Sequence, residues 1–124
     1  MIPEIAGGRL LEGPSHLGGG NLLYVVETDA GVMVRVELAG VKNEDLRVTV
    51  DGPTLRISGV RQVLDRSDVK RLHQMEIATG RFERRVQIPI PFDREEVSAN
   101  LVDGFLVVVL PRRASGPRQV EISD

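Results

Sequence analysis

Apolar residues recur at every second position in one stretch of this chain after another, and that period of two narrows its choice of fold more than any other feature. In GVMVRVELAG, Val32, Val34, Val36 and Leu38 fall on one side, while Met33, Arg35 and Glu37 fall on the other. LRVTVDG repeats the pattern with Leu46, Val48 and Val50 against Arg47 and Thr49, and TLRISG sets Leu55 and Ile57 against Arg56 and Ser58. GRFERRVQIPIP returns to it with Phe82, Val86 and Ile88, after which Pro89 and Pro91 end the strand or hold it at a sheet edge. Side chains along a strand point alternately to its two faces, so each stretch reads as a half-buried β-strand.

The turns between them carry their own chemistry. Asp51-Gly52-Pro53 joins two of these strands, because glycine accepts a positive φ and proline comes with its own φ preset. Asp103-Gly104, inside SANLVDGFLVVVLP, is the strongest short hairpin signal in the chain. The strand after it is apolar on both parities: Phe105, Val107 and Val109 on one, Leu106, Val108 and Leu110 on the other. Such a strand is expected to be covered on both faces. Short strands, regular turns and the lack of a long helical period together predict an all-β sandwich.

Length and composition agree with one domain. The chain has 124 residues, 41% hydrophobic and 27% charged, which suffices for a packed core. Aromatic residues make up only 3%, so aliphatic side chains must build that core. The sequence divides into a Gly-rich arm read as flexible (1–21), a sandwich (22–111) and a polar tail (112–124) ending in VEI. Val41 to Leu46 suits a loop or a single helical turn, and the charge-rich residues 61–79 read as an exposed connection with a weak strand in its middle. A net charge of −2 gives no overall pull toward nucleic acid or anionic membrane. No apolar run is long enough to span a bilayer, and the N-terminus lacks a signal-peptide pattern, so a cytoplasmic location is expected.

Catalysis finds no foothold. There is no cysteine, and the two histidines, His16 and His73, lack partners at metal-ligand spacing. Glu44-Asp45 and Glu95-Glu96 read as solvated acidic pairs, and Gly18–Gly20 has no following lysine to make a phosphate loop. Arg112, Arg113 and Arg118 are too few to bind nucleic acid without an aromatic platform. The chain is expected to be neither an enzyme nor a carrier of a cofactor or metal. Arg84 shares its parity with Phe82, Val86 and Ile88. It either snorkels at the sheet rim or pairs with a carboxylate such as Glu76 or Glu83 at a subunit interface. In the tail, Val120 and Ile122 are spaced to lie on one side of an extended strand, suited to reception in a groove by strand addition.

Taken in order, VELAGVKNEDLRVTV, LRISGVR, GRFERRVQIP, ANLVDGFL followed by LP, and the terminal VEI resemble the small heat-shock proteins, the family built on the α-crystallin domain. The most specific piece is the signature carried by Ala99, Asp103, Gly104 and Leu106. The resemblance implies an immunoglobulin-like β-sandwich acting as an ATP-independent holdase for unfolding client proteins. It implies that Val120 and Ile122 anchor in a neighbour's groove between edge strands 46–50 and 97–101, lined by Val48, Val50 and Val97. It also implies a homodimer made by exchange of the loop at 61–79, with Arg84, Val69 and Leu72 at the interface. The arm has no aromatic residue, so the dimer is the assembly to expect, and a higher homo-oligomer built through the tail is left open. The alternative reading is a co-chaperone or adaptor module that binds one folded partner.

Overall fold

The computed structural model describes residues 22–62, 66–114, 120, 122 and 123. Among the described residues seven strands form two antiparallel sheets: β1 (Leu23–Thr28), β2 (Gly31–Glu37), β3 (Leu46–Asp51), β4 (Thr54–Arg61), β5 (Gly80–Gln87), β6 (Ser98–Val102) and β7 (Phe105–Pro111). One sheet has the order β1-β2-β7-β6 and the other β3-β4-β5. Single 3-10 turns at Asn43–Asp45 and Arg94–Glu96 precede β3 and β6, where the chain changes sheet. This is the expected all-β sandwich.

The alternation read from the sequence is the inner face. Val32, Val34, Val36 and Leu38 join Leu106, Val108 and Leu110 from the four-stranded sheet, and Leu55, Ile57, Phe82 and Val86 from the other, in one buried cluster. The register explains the match, because Val34 lies opposite Val108 and Val36 opposite Leu106. In the β6–β7 hairpin, Asp103 and Gly104 both take positive φ (52° and 83°), the conformation that Asp-Gly admits most readily. The Gly104 carbonyl then accepts from the Leu38 N–H at 2.8 Å, tying this hairpin to the end of β2.

Two expectations are corrected. No second layer covers the outer face of β7 among the described residues: Phe105 and Val107 are half-buried and Val109 is 40% exposed. The shielding comes from within the sheet, where the Arg35 guanidinium lies 4.1 Å from the Phe105 ring centre and donates to the Tyr24 hydroxyl at 3.2 Å. A cation on an aromatic face thus stands where a packed layer was expected. Nor is there a strand among the described residues of 62–79, which lie between β4, ending at Arg61, and β5, beginning at Gly80. Consecutive polar residues, Asp65 to Asp68 and Lys70-Arg71, break the period of two in that stretch.

Candidate functional site: the open edge of the sandwich

β3 and β6 are both edge strands, each with one side unpaired. Arg94, in the turn before β6, reaches within 3.8 Å of the position a Cβ would take on Gly52 in the β3–β4 turn. The Arg94 side chain thus reaches from the turn before β6 to the turn that ends β3. Val48 and Val50 pair with Ile57 and Leu55, which are fully buried, yet both valines are only half-buried. On the other sheet, Leu101 pairs with Leu106 and Ala99 with Val108, so both share the inward parity. Leu101 is half-buried and Ala99 exposed, although Leu106 and Val108 are buried. Along this side the inner face is thus open to solvent. Val97, just before β6, is half-buried and packs on the core together with Leu46, Val48, Val50 and Leu101. An open, aliphatic margin flanked by unpaired backbone is the chemistry that accepts an added strand. The small Ala99 leaves room at its middle.

The tail leaves the sandwich from a fixed point. Phe92 forms an isolated bridge with Arg112, and the Arg112 N–H donates to the Ala30 carbonyl at 2.8 Å. Its guanidinium donates to the carbonyls of Asp29 and Thr28 and to a Glu27 carboxylate oxygen at 3.1 Å. Val120 and Ile122 are 74% and 89% exposed. The tail's Arg118 and the N-terminal arm, His16 included, lie outside the described residues.

A second apolar opening lies where the loop before β5 rests against the end of the sandwich. It encloses about 560 Å³, with Leu72, Met75 and Ile77 on the loop side and Ala39, Gly40 and Arg61 on the other. Arg61 ties its base together. It donates to the Glu37 carbonyl and carboxylate at 3.5 and 3.4 Å and to the Ala78 carbonyl at 3.4 Å, while its buried Nε has no partner. Sequence reasoning missed Arg61, although its place two residues after Gly59 and four after Ile57 puts it on the inward parity. Val69, Leu72, Met75 and Ile77 are all 43–69% exposed. Leu72 lines this opening, whereas Val69 and Arg84 are not among its lining residues. Arg84 lies half-buried on the inward side of β5, between Phe82 and Val86 and opposite Ile57. Glu83 has the opposite parity and pairs with Arg56, and Glu76 accepts from Gln74.

Near the loop's start, Arg66 donates to both carboxylate oxygens of Asp68 at 3.0 and 2.9 Å and holds that carboxyl below the ordinary aspartate range. A lowered folded-state value means that the pairing is present above the ordinary value and is lost as pH falls through the lowered one. Both groups are solvated, so the pair orders the turn locally rather than stabilising the fold. A carboxyl-resolved NMR titration should place the Asp68 midpoint below that of a free aspartate. In Arg66→Gln the midpoint should rise toward it, the backbone hydrogen bond to Asp68 keeping part of the lowering, and an unmoved midpoint would remove the pair.

Among the described residues no cluster of three His, Cys, Asp or Glu could hold a metal ion, and no helix is long and apolar enough to cross a membrane. A family model described as the Hsp20/alpha crystallin family matches residues 24–123. The 18.1 kDa class I heat shock protein of Arabidopsis thaliana is 34% identical over 99 residues, which cover 79% of this chain and 62% of that protein. Small heat shock protein C2 of Rickettsia felis is 27% identical over 99 residues, covering 79% and 64%. Of the solved structures, heat shock protein 16.0 from Schizosaccharomyces pombe superposes with a TM-score of 0.69 at 33% identity, covering 83% of this chain and 97% of that one. A small heat-shock protein from Xylella fastidiosa gives 0.71 at 25% identity, covering 84% and 96%. The chain spans 60–64% of the length of the Rickettsia, Arabidopsis and Stigmatella relatives it matches.

Proposed function

Because the chain belongs to the Hsp20/alpha crystallin family, we propose that it is an ATP-independent holdase, which binds unfolding polypeptides through apolar surface and limits their aggregation. The observation that carries the reading is the open edge between β3 and β6, where the inward-facing Ala99 is exposed and Val48, Val50 and Val97 are half-buried. An unpaired edge beside aliphatic side chains is ordinarily an aggregation hazard. In a holdase it is the working surface, and Val120 and Ile122 of a neighbouring copy cover it reversibly. The exposed Val69, Leu72, Met75 and Ile77 give the loop an apolar side that a second copy would bury, with Arg84 at the same dimer interface.

Binding by aliphatic burial needs no nucleotide. The chain should therefore slow the light scattering of a heat-labile client in buffer without ATP, with protection rising with its molar ratio to the client. No protection at a several-fold excess would sink the holdase reading. Capture of a single folded partner at fixed stoichiometry would replace it with the adaptor reading.

A further inference from the structure

The outer face of the three-stranded sheet plays no part in the groove or the loop. β3, β4 and β5 turn Arg47, Arg56, Arg81 and Arg85 toward it, all exposed, with Glu83 and Asp51 as the acidic strand residues on that parity. The register sets Arg56 directly opposite Arg85, an arrangement of like charges that weakens a sheet. Glu83 serves both, hydrogen-bonded to Arg56 and 3.8 Å from Arg85. The side chains of Arg47 and Arg81 have neither a hydrogen bond nor an ion pair among the described residues. A shallow depression bordered by Arg56, Ser58 and Arg81 opens on the same face. This face carries a net charge of +2 in a chain of net −2, which leaves −4 for the rest of the molecule.

We propose that this face docks the protein on lipid bilayers whose headgroups carry phosphate anions. A guanidinium is a planar fork of donors that matches phosphate oxygens, and the Thr49 and Ser58 side chains add hydroxyl donors on the same parity. The shape of the charge selects a plane over a polymer. Arginines gathered on one face of one sheet meet a surface without bringing the acidic remainder near it, whereas a chain that wraps the molecule meets that remainder. No aromatic side chain stands on this face to stack a base, which disfavours single-stranded nucleic acid. Attraction of this kind adds up over the arginines and fades within a Debye length, so it must fall steeply with salt. The inference is independent of the holdase reading.

Co-sedimentation of the folded full chain with phosphatidylglycerol vesicles, without any client, tests it. We expect binding at low ionic strength, release at high salt, and no retention on vesicles of phosphatidylcholine alone. Arg47→Gln combined with Arg81→Gln should lower partitioning roughly tenfold or more, since each removes one surface cation. The paired Arg→Lys changes keep the charge and should retain binding. Thermal melting of each variant checks that the fold is intact. Equal binding to both kinds of vesicle, or an undiminished Gln variant, would overturn the proposal. Binding to inorganic polyphosphate with none to vesicles would also overturn it, in favour of a soluble polyanion.

Discussion

Gly31→Ala should unfold at markedly lower urea than the parent chain, having lost about 3–5 kcal/mol from backbone strain and overpacking together. Gly31 begins β2 with φ at 152°, where L side chains are strained. A Cβ there would lie 2.3 Å from the Leu110 carbonyl oxygen, 2.8 Å from the Arg112 nitrogen and 2.9 Å from the Pro111 Cα. All three are backbone atoms, so no rotamer change relieves the clash. The β1–β2 turn would have to move away from the end of β7, against the bond from Arg112 N–H to the Ala30 carbonyl. Gly40→Ala is the control. Gly40 also has a positive φ of 82°, but a Cβ there meets nothing within 4 Å, so its cost should be the strain alone, about 1–2 kcal/mol. Equal losses at the two sites would show that close packing of β2 on β7 is not what Gly31 protects.

The two glycines also mark where the sequence is legible. Gly104 follows an aspartate between two aliphatic runs, so its turn can be read from two letters. Gly31 lies between Ala30 and Val32, and nothing local says that a strand distant in sequence passes within touching distance. The same division runs through the fold. β2, β3, β4 and β5 are visible because their apolar residues recur at every second position, and burial follows that pattern in β2, β4 and β5, whereas in β3 Thr49 is half-buried like Val48 and Val50. β7 is apolar on both faces, a pattern that cannot distinguish a packed layer from an Arg35–Phe105 contact made across the sheet. β1 has adjacent valines, Val25 and Val26, that blur its period. Of the site residues, Val48, Val50 and Val97 were legible as aliphatic positions on candidate edges. Their openness was not, because exposure at an edge depends on which strands go unpaired. Net charge misled in a similar way. A sum of −2 carries no trace of four arginines gathered on one face by a register that only folding creates.

Replacing both Val120 and Ile122 with alanine should take the chain from an assembly larger than a dimer to a dimer, as read by light scattering on the intact and changed forms. The tail departs at Arg113, whose N–H donates to the Pro91 carbonyl. Seven residues of extended chain reach at most about 25 Å from that point to Val120. A tether of that length can present two aliphatic side chains to a neighbour. Each would contribute roughly 1.5–3 kcal/mol when buried, and ordering the tail takes back part of that gain. A single contact is therefore too weak to hold two dimers together for long. Several in one assembly raise the effective concentration enough to hold while each still exchanges. A polar residue in the receiving edge, Val48→Asp, should have the same consequence, because it leaves a carboxylate where an aliphatic tip must be desolvated. Combining the tail and edge changes should then add nothing further, since both remove one contact. If the tail variant keeps the parent mass, assembly belongs to the loop and its exposed Leu72, Met75 and Ile77, and the edge is left free for clients. If the edge variant alone loses mass, the groove receives some segment other than the tail.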